Sequence, residues 1–265
     1  MIGVCGCKLA TMVVVAKKAR FARRRVRADT LVRARSPDRR SVQDGQLWHD
    51  YEVSETFLVD VWSDVVCPFC YLGIRQLATA LEEFDQGDDV VLRHRAFELD
   101  PRAPADYDLP LDELLVKKYN MPIEKAHFLH EKFESDATAL GIAWSMKTGR
   151  PTNTFDAHRL IALSTTQALD GAMTEPLFRA YFDEGQQLSD RDTLSGLSEE
   201  VGVDGVDELW SGVDYVDRVR DDEMQAQDLG ITGIPTLLLD GKFMVVGAQG
   251  SEQTLDVLTR AWARH

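Results

Sequence analysis

Cysteine is scarce in this chain, where only Cys5, Cys7, Cys67 and Cys70 occur among 265 residues. So few cysteines exclude the disulfide-rich scaffolds that small secreted proteins use. Long apolar runs are missing too, since none approaches the roughly 20 residues of a membrane-spanning helix. The six histidines stand singly, so they do not complete a tetrahedral zinc site with the cysteines. We therefore expect neither a membrane span nor a metal site.

Lysine is scarce after residue 50, where six lysines stand in a segment with 18 basic and 40 acidic residues. An acidic surface so poor in lysine argues against nucleic acid or an anionic membrane as a partner. It is typical of proteins that stay soluble in high salt, because salt screens their self-repulsion. We expect an acidic surface and a halophilic source; the alternative is an ordinary acidic cytosolic protein.

Residues 1–50 differ from the rest, with 12 basic and four acidic residues. A short apolar patch, Leu9 to Ala16, precedes the basic cluster, which reverses the order of a secretory signal. We interpret this segment as a basic tail that is disordered or untranslated. The alternative is an arm that binds nucleic acid or steers a partner. Cys5 and Cys7 receive no role.

The chemistry-bearing stretch is Cys67-Pro68-Phe69-Cys70. The β-forming run Thr56–Ser63 precedes it and the amphipathic pattern Tyr71–Phe84 follows, which predicts a strand, a loop and a helix. Cys67 then lies just before the first helical turn, where free N–H groups and the helix dipole favour its thiolate. Cys70 lies one turn inside, within disulfide range. A redox dithiol is the favoured interpretation, and half of a zinc site or a structural disulfide are the alternatives.

The later pattern changes from strand to helix and back. Asp88–Phe97 predicts a second strand, parallel to the first through a right-handed crossover. Between about residues 111 and 190 the sequence has no strand pattern. This segment has four helical patterns: Leu111–Tyr119, Ile123–Leu140, Asn153–Leu169 and Met173–Glu184. Three further helices are predicted, Asp192–Val201, Val206–Trp210 and Tyr215–Leu229. A β-hairpin of Thr236–Leu239 and Lys242–Val246 follows them. The last predicted element is the helix Glu252–Ala263, with Ser251 as its cap.

Gly233-Ile234-Pro235-Thr236 precedes the third predicted strand. A proline that opens a strand removes a ladder donor, and X-Pro bonds are cis far more often than other peptide bonds. A cis bond at Ile234–Pro235 would leave the backbone groups of Ile234 free to pair with an extended substrate segment. The alternative is a trans proline at a loop-to-strand boundary.

Three separated motifs carry a resemblance to a known family: Trp62–Gly73, Asn153–Arg159 and Tyr181–Gly185, followed by Gly-Ile-Pro-Thr. Over about residues 54–263 the chain resembles the DsbA-type branch of the thioredoxin superfamily, and more narrowly its FrnE-like members. The resemblance implies an α/β thioredoxin fold with a large helical insertion after the first βαβ unit. The implied domains are 54–110 with 190–265, thioredoxin-like, and 111–189, the inserted helices.

The same resemblance implies site roles. Cys67 matches the nucleophile, Cys70 the resolving thiol, Pro235 a cis proline, and Ile234 the backbone contact before it. The other implied substrate-binding residues are Pro68, Phe69, Asn153, Thr154 and His158. Phe69 replaces the histidine of strongly oxidising secreted members, which predicts a less oxidising couple because Phe offers no positive charge to the thiolate.

We therefore expect a cytoplasmic dithiol–disulfide oxidoreductase whose partners are disulfide proteins or small thiols. It needs no metal or organic cofactor, with glutathione as an optional co-substrate. Two alternatives stay open. One is a glutathione-dependent isomerase or transferase of the kappa-class type, which usually has Ser at the nucleophile position. The other is a holdase-like polypeptide-binding protein in which the thiols are incidental.

Overall fold

The computed structural model describes residues 56–144 and 149–265, together with the backbone of Val14–Val15. Its strands form one sheet in the order β1-β5-β4-β2-β3. The strands are β1 (Val14–Val15), β2 (Phe57–Ser63), β3 (Val90–Ala96), β4 (Thr236–Leu239) and β5 (Phe243–Val246). β2 and β3 run parallel, and the other neighbouring pairs are antiparallel. The rest of the predicted basic tail 1–50 lies outside the described residues.

Helices occupy both faces of this sheet. They are α1 (Pro68–Glu83), α2 (Leu111–Tyr119), α3 (Ile123–Ala139), α4 (Phe155–Thr165), α5 (Asp170–Phe182), α6 (Arg191–Val201), α7 (Val206–Ser211), α8 (Val216–Asp228) and α9 (Ser251–Trp262). The βαβ unit β2-α1-β3, the helices that follow it and the closing β4-β5-α9 confirm the predicted thioredoxin fold with added helices. Among the described residues, no helix combines the length and the apolar character that crossing a bilayer requires.

The two faces of β2 have different chemistry. Phe57, Val59 and Val61 point into an apolar layer with α1 and α9. On the opposite face, Asp60 binds Arg93 and Arg95 of β3 at 2.7 and 2.8 Å. That face packs against α8 and the helical block, where these ion pairs lie beside a second apolar cluster that includes Trp62 of β2.

The outer edge of β3 is closed by side chains instead of another strand. The His94 N–H donates to Asp170 Oδ2 at 3.5 Å, and the Ala96 N–H donates to Asp222 Oδ2 at 3.3 Å. Exposed strand edges invite pairing with other chains, and covering them is a common defence. Asp170 begins α5 and Asp222 lies in α8, so two helices on one side of the sheet also protect its edge.

The helices after the predicted insertion pack against it. α6 contacts both α4 and α5, and α7 contacts α4. The division of the chain at residues 110 and 189 stays a prediction.

α1 begins at Pro68, which agrees with the prediction that Cys67 lies just before the first helical turn; only the amphipathic pattern Tyr71–Phe84 starts later. One predicted cap differs from the structure. Ser251 was predicted to cap α9, and this prediction is wrong. The N-cap residue is Gly250, whose φ of 92° suits glycine, and its carbonyl accepts the Thr254 N–H at 3.1 Å.

The ring of Pro235 packs against α1 at Gly73. A Cβ added to Gly73 would lie 2.7 Å from Pro235 Cγ and 3.6 Å from Ala248 Cβ. Cβ atoms do not approach a ring carbon so closely without displacement. Glycine in a helix interior costs about 1 kcal/mol relative to alanine, so its presence in α1 is explained by this close contact.

We predict that Gly73→Ala destabilises the protein although alanine is the better helix former. The expected clash with Pro235 costs about 1–3 kcal/mol, which exceeds the helix gain of about 1 kcal/mol. Urea unfolding followed by circular dichroism measures the change. The matched control is Gly196→Ala in α6, where no atom of the described residues lies within 4 Å of the added Cβ. That control should be neutral or stabilising, and equal stabilisation by both substitutions would contradict the packing.

Candidate active site

Cys67 and Cys70 lie at the beginning of α1, as the spacing predicts. Cys67 is the N-cap residue, and Pro68 occupies the first helical position. The Cys67 carbonyl accepts the N–H of Cys70 at 3.0 Å and of Tyr71 at 3.2 Å. The first turn of α1 contains no acidic residue, so nothing within it opposes the positive end of the helix dipole.

The two sulfurs differ in their surroundings. Both cysteines are free thiols; Cys67 is 4% exposed and Cys70 is fully enclosed. The pKa of the Cys70 thiol is raised well above its ordinary value, first by burial and then by its hydrogen bond to Cys67 and the charge there. A hydrogen bond from the Asp64 backbone acts in the opposite direction and does not cancel the rise. Cys70 is therefore held as a neutral thiol beneath Cys67.

Phe69 is the exposed member of the motif. Its side chain is 45% exposed, and its ring meets that of Phe133 edge-to-face at 4.8 Å. Phe133 belongs to α3, so the motif faces the inserted helices. Half-exposed Pro68 and Phe69 line the surface around Cys67, and their substrate-binding role stays a prediction.

Ile234 and Pro235 reach the same region from the other end of the chain. The Ile234–Pro235 bond is cis, which confirms the expectation drawn from the resemblance. Ile234 belongs to the same buried cluster as Cys67 and Cys70. The Pro235 carbonyl accepts the Gly247 N–H at 2.7 Å. Within the described residues, the N–H and C=O of Ile234 make no hydrogen bond, so this peptide has unused capacity.

Asn153 and Thr154 lie at the beginning of α4. The Asn153 amide donates to the Ala103 carbonyl at 3.2 Å, and its oxygen accepts the Phe155 N–H at 2.9 Å. Thr154 is buried at the N-cap position of α4. These bonds tie the loop after β3 to α4. A substrate-binding role for either residue stays a prediction.

His158 lies deeper, on the buried face of α4. Its Nε2 atom is 3.4 Å from Asp64 Oδ1, an ion-pair distance at which no well-aligned hydrogen bond forms. Burial alone would lower the pKa of His158, but Asp64 and the charges of Glu98 and Glu223 outweigh burial and raise it. The structure therefore brings His158 next to Asp64, whose backbone carbonyl binds the Cys67 N–H.

Sequence reasoning assigned no role to Asp64. Its backbone carbonyl accepts the Cys67 N–H at 3.0 Å, and Oδ2 accepts the Leu99 N–H at 2.7 Å. The residue is 1% exposed, and its charge acts on Cys70 and on Tyr181. An aspartate immediately before an apolar loop is the local signal that could have identified it.

An aromatic cluster anchors α1 to the inserted helices. Tyr71 stacks on Phe178 at 4.7 Å with nearly parallel rings, and its hydroxyl donates to Glu175 Oε1 at 2.9 Å. Trp144 stacks on Phe182 at 4.3 Å in the same cluster. Because Tyr71 directly follows Cys70, this packing fixes the first turn of α1.

Metal ligands are not assembled anywhere in the part of the chain that the structure describes. Across 56–144 and 149–265, no three His, Cys, Asp or Glu side chains are arranged to hold a metal ion.

The sequence and the fold both match known proteins. The family model of the DSBA-like thioredoxin domain matches residues 58–259. The uncharacterized protein YwbO of Bacillus subtilis is 29% identical over 202 residues, which span 74% of this chain and 93% of that protein. A probable DsbA oxidoreductase from Streptomyces coelicolor, SCO1869, is 35% identical with a TM-score of 0.75, covering 79% of this chain and 91% of that chain.

Two more distant structures share the fold. The cytosolic disulfide reductase DsbM of Pseudomonas aeruginosa is 18% identical with a TM-score of 0.56, and the match covers 78% of this chain and all of that chain. A 2-hydroxychromene-2-carboxylate isomerase is 19% identical with a TM-score of 0.56, covering 78% of this chain and 95% of that chain.

We predict that a limiting amount of iodoacetamide alkylates Cys67 of the native reduced protein before Cys70. The thiolate is the reactive form, and Cys70 is both enclosed and held neutral, so its labelling should be slower by about tenfold or more. Peptide mass spectrometry separates these sites from Cys5 and Cys7. In denaturant the two should label alike. Equal labelling of both in the native protein would contradict the geometry.

Proposed function

Because the chain belongs to the DSBA-like thioredoxin domain family, we propose that it exchanges disulfides with substrates through Cys67 and Cys70. It is a thiol–disulfide oxidoreductase. The observation that carries the proposal is the placement of Cys67 at the N-cap of α1, with Cys70 enclosed behind it. The reaction needs no metal or organic cofactor, because both electrons come from the sulfur pair.

The exchange proceeds in two displacements. The Cys67 thiolate attacks a substrate disulfide, so a Cys67–substrate bond forms and the other substrate sulfur leaves as a thiolate. The Cys70 thiol then loses its proton and its sulfur attacks the Cys67 sulfur. The Cys67–Cys70 disulfide closes, the bond from Cys67 to the substrate breaks, and the second substrate sulfur leaves as a thiolate that takes up a proton. The substrate disulfide is reduced by two electrons and the enzyme pair is oxidised by two. Both steps also run in reverse.

Ile234 is the proposed backbone contact for the substrate. Its unpaired N–H and C=O lie in the same cluster as Cys67, so an extended segment next to the substrate disulfide can pair with them. The exposed ring of Phe69 offers an apolar surface next to the same segment. Pro68, Asn153, Thr154 and His158 complete the proposed substrate-binding set.

We place the protein in the cytoplasm, with disulfide proteins or small thiols as its partners. Only two cysteines follow residue 50, which suits a reducing compartment better than a disulfide-stabilised secreted fold. DsbM, which shares the fold, is named a cytosolic disulfide reductase and has a structure with glutathione. Glutathione is accordingly the proposed small-thiol co-substrate.

One alternative is a glutathione-dependent isomerase or transferase, favoured by the shared fold of the 2-hydroxychromene-2-carboxylate isomerase. A two-cysteine motif favours disulfide exchange over it, since an isomerase has no use for a resolving thiol. The other alternative is a holdase, favoured by the exposed rings of Phe69 and Phe128. A holdase would still bind unfolded chains after both thiols are removed.

A halophilic source is proposed from charge alone. After residue 50 the chain has 40 acidic and 18 basic residues, and self-repulsion of that size destabilises a compact state at low salt.

We predict that the wild-type protein catalyses insulin reduction and that Cys67→Ser abolishes it, because no thiolate then attacks the insulin disulfide. Cys70→Ser should instead accumulate a mixed disulfide with insulin, visible on non-reducing gels. Dithiothreitol and glutathione are compared as reductants. Protection of an unfolded client by Cys67→Ser, without reductase activity in the wild type, would support the holdase.

We predict that the Tm of the protein is higher in 1 M potassium chloride than in 0.1 M potassium chloride. The Debye length falls from about 10 Å at 0.1 M to about 3 Å at 1 M, which screens the acidic surface. A gain of about 2 kcal/mol corresponds to a rise in Tm of roughly 4–8 °C. Differential scanning calorimetry measures it, with sucrose as the uncharged control. A Tm that does not respond to salt would contradict the halophilic assignment.

A further inference from the structure

A pocket of about 350 Å³ lies between α4 and the segment that joins α7 to α8. The residues that line it are Leu163, Gly205, Glu208, Leu209, Asp214 and Tyr215. A volume of this size can hold a small molecule, since ligand pockets begin at about 300 Å³. None of the residues assigned to disulfide exchange lines this pocket, so its existence needs a separate explanation.

Part of the lining is apolar. Leu163 of α4 and Leu209 of α7 are 8% and 1% exposed, and both belong to the larger of the two buried clusters. Gly205 adds no side chain, and its φ of 80° suits glycine. Tyr215 is half-buried and contributes an aromatic ring. These residues offer a surface against which the apolar body of a ligand can pack.

A buried guanidinium holds the backbone of the lining segment. Arg159 of α4 is 3% exposed and donates to three backbone carbonyls, those of Leu209, Gly212 and Asp214, at 2.6, 3.0 and 3.0 Å. Its charge is compensated by Asp156, whose Oδ1 lies 2.8 Å from Arg159 Nη1. Because one side chain binds three carbonyls of the segment, the pocket is formed before a ligand arrives. Preformed sites lose less conformational freedom on binding.

Two carboxylates at the pocket are available to a cation. Glu208 and Asp214 are exposed, and among the described residues neither side chain forms an ion pair. Asp156, by contrast, binds both Arg159 and Arg191 at 2.8 Å. The six lining residues include these two acidic side chains and no basic one. A positively charged group would therefore meet opposite charge at the pocket and no like charge in its lining.

We propose that this pocket binds a small organic cation of the alkylamine or alkylguanidine class. The alkyl chain packs against Leu163 and Leu209, and the charged group pairs with Glu208 or Asp214. Tyr215 adds attraction, because the face of an aromatic ring attracts a cation within about 6 Å. This binding site is independent of disulfide exchange and goes beyond it.

The surface around the pocket favours a free small molecule over a protein partner. The residues that flank the lining in sequence include the exposed acids Asp204, Asp207 and Asp217. Val213, which is 82% exposed, is the large apolar side chain that this segment presents to solvent. A stable protein interface needs a desolvated, largely uncharged centre and about 1,000 Å² of buried surface. An acidic rim around one small pocket does not supply them.

The test titrates the full chain with agmatine, a short alkyl chain with an amine at one end and a guanidine at the other. Isotope-labelled leucine methyl groups report binding by NMR, and those of Leu163 and Leu209 should shift until a single site is saturated. Butanediol, which has the same alkyl chain without charge, is the matched ligand control. The buffer contains about 0.15 M potassium chloride, which limits loose association with the acidic surface to a Debye length of about 8 Å.

The variants remove each part of the proposed recognition. Glu208→Gln combined with Asp214→Asn should weaken agmatine binding by roughly fivefold to tenfold, because each exposed charge pair contributes modestly. Tyr215→Leu should weaken it by about threefold, and Tyr215→Phe should preserve it, because the attraction resides in the ring. The matched control is Asp207→Asn, which removes a carboxylate next to Glu208 on α7 that does not line the pocket. It should change the Kd by less than about twofold.

Four outcomes would overturn the proposal. Methyl shifts that grow without saturation, or that Asp207→Asn weakens as much as the paired variant does, would show counterion attraction and no site. Equal shifts with butanediol would show an apolar pocket that ignores charge. Tighter binding of an arginine-containing peptide than of agmatine would assign the pocket to a protein partner. Circular dichroism checks that each variant folds, and if Tyr215→Leu does not, unchanged binding in the paired carboxylate variant refutes the proposal alone.

Discussion

The contact between Pro235 and Gly73 holds the two halves of the site together. One half is the α1 N-terminus with its two sulfurs, and the other is the Ile234 peptide near the end of the chain. No covalent link joins them, so their spacing depends on a proline ring lying where a side chain would otherwise be. The thioredoxin fold supplies this contact because β4 is antiparallel to β2, whose end leads into α1.

The asymmetry of the sheet explains where buried charge is tolerated. The face against α1 and α9 is apolar, whereas the face against α8 and the helical block combines an apolar cluster around Trp62 with buried ion pairs. There Arg95 binds both Asp60 and Asp222 at 2.8 Å, joining β2, β3 and α8. Charges of alternating sign lower the cost of burial, although an apolar layer of the same volume would often be as stable. Asp64 and His158 extend this ionic layer as far as the sulfurs.

Local patterns predicted the elements well, because strands and amphipathic helices leave periodic signals in neighbouring residues. The cap of α9 was misplaced by one residue, since a glycine at positive φ took the N-cap position before Ser251. The pairing of Asp64 with His158 was not predictable: no local pattern links residues so distant in sequence. Resemblance pointed to His158, but only the fold shows that its partner is Asp64.

The carboxylates that close β3 also limit how this protein can assemble. An N–H already bound to Asp170 or Asp222 is not available to a strand from another molecule, so the sheet does not extend across that edge. The closure depends on two side chains from helices that follow β3 in sequence. Without either carboxylate, an unpaired N–H of β3 would be left for a strand of a neighbouring copy to bind, so self-association is what these two aspartates prevent.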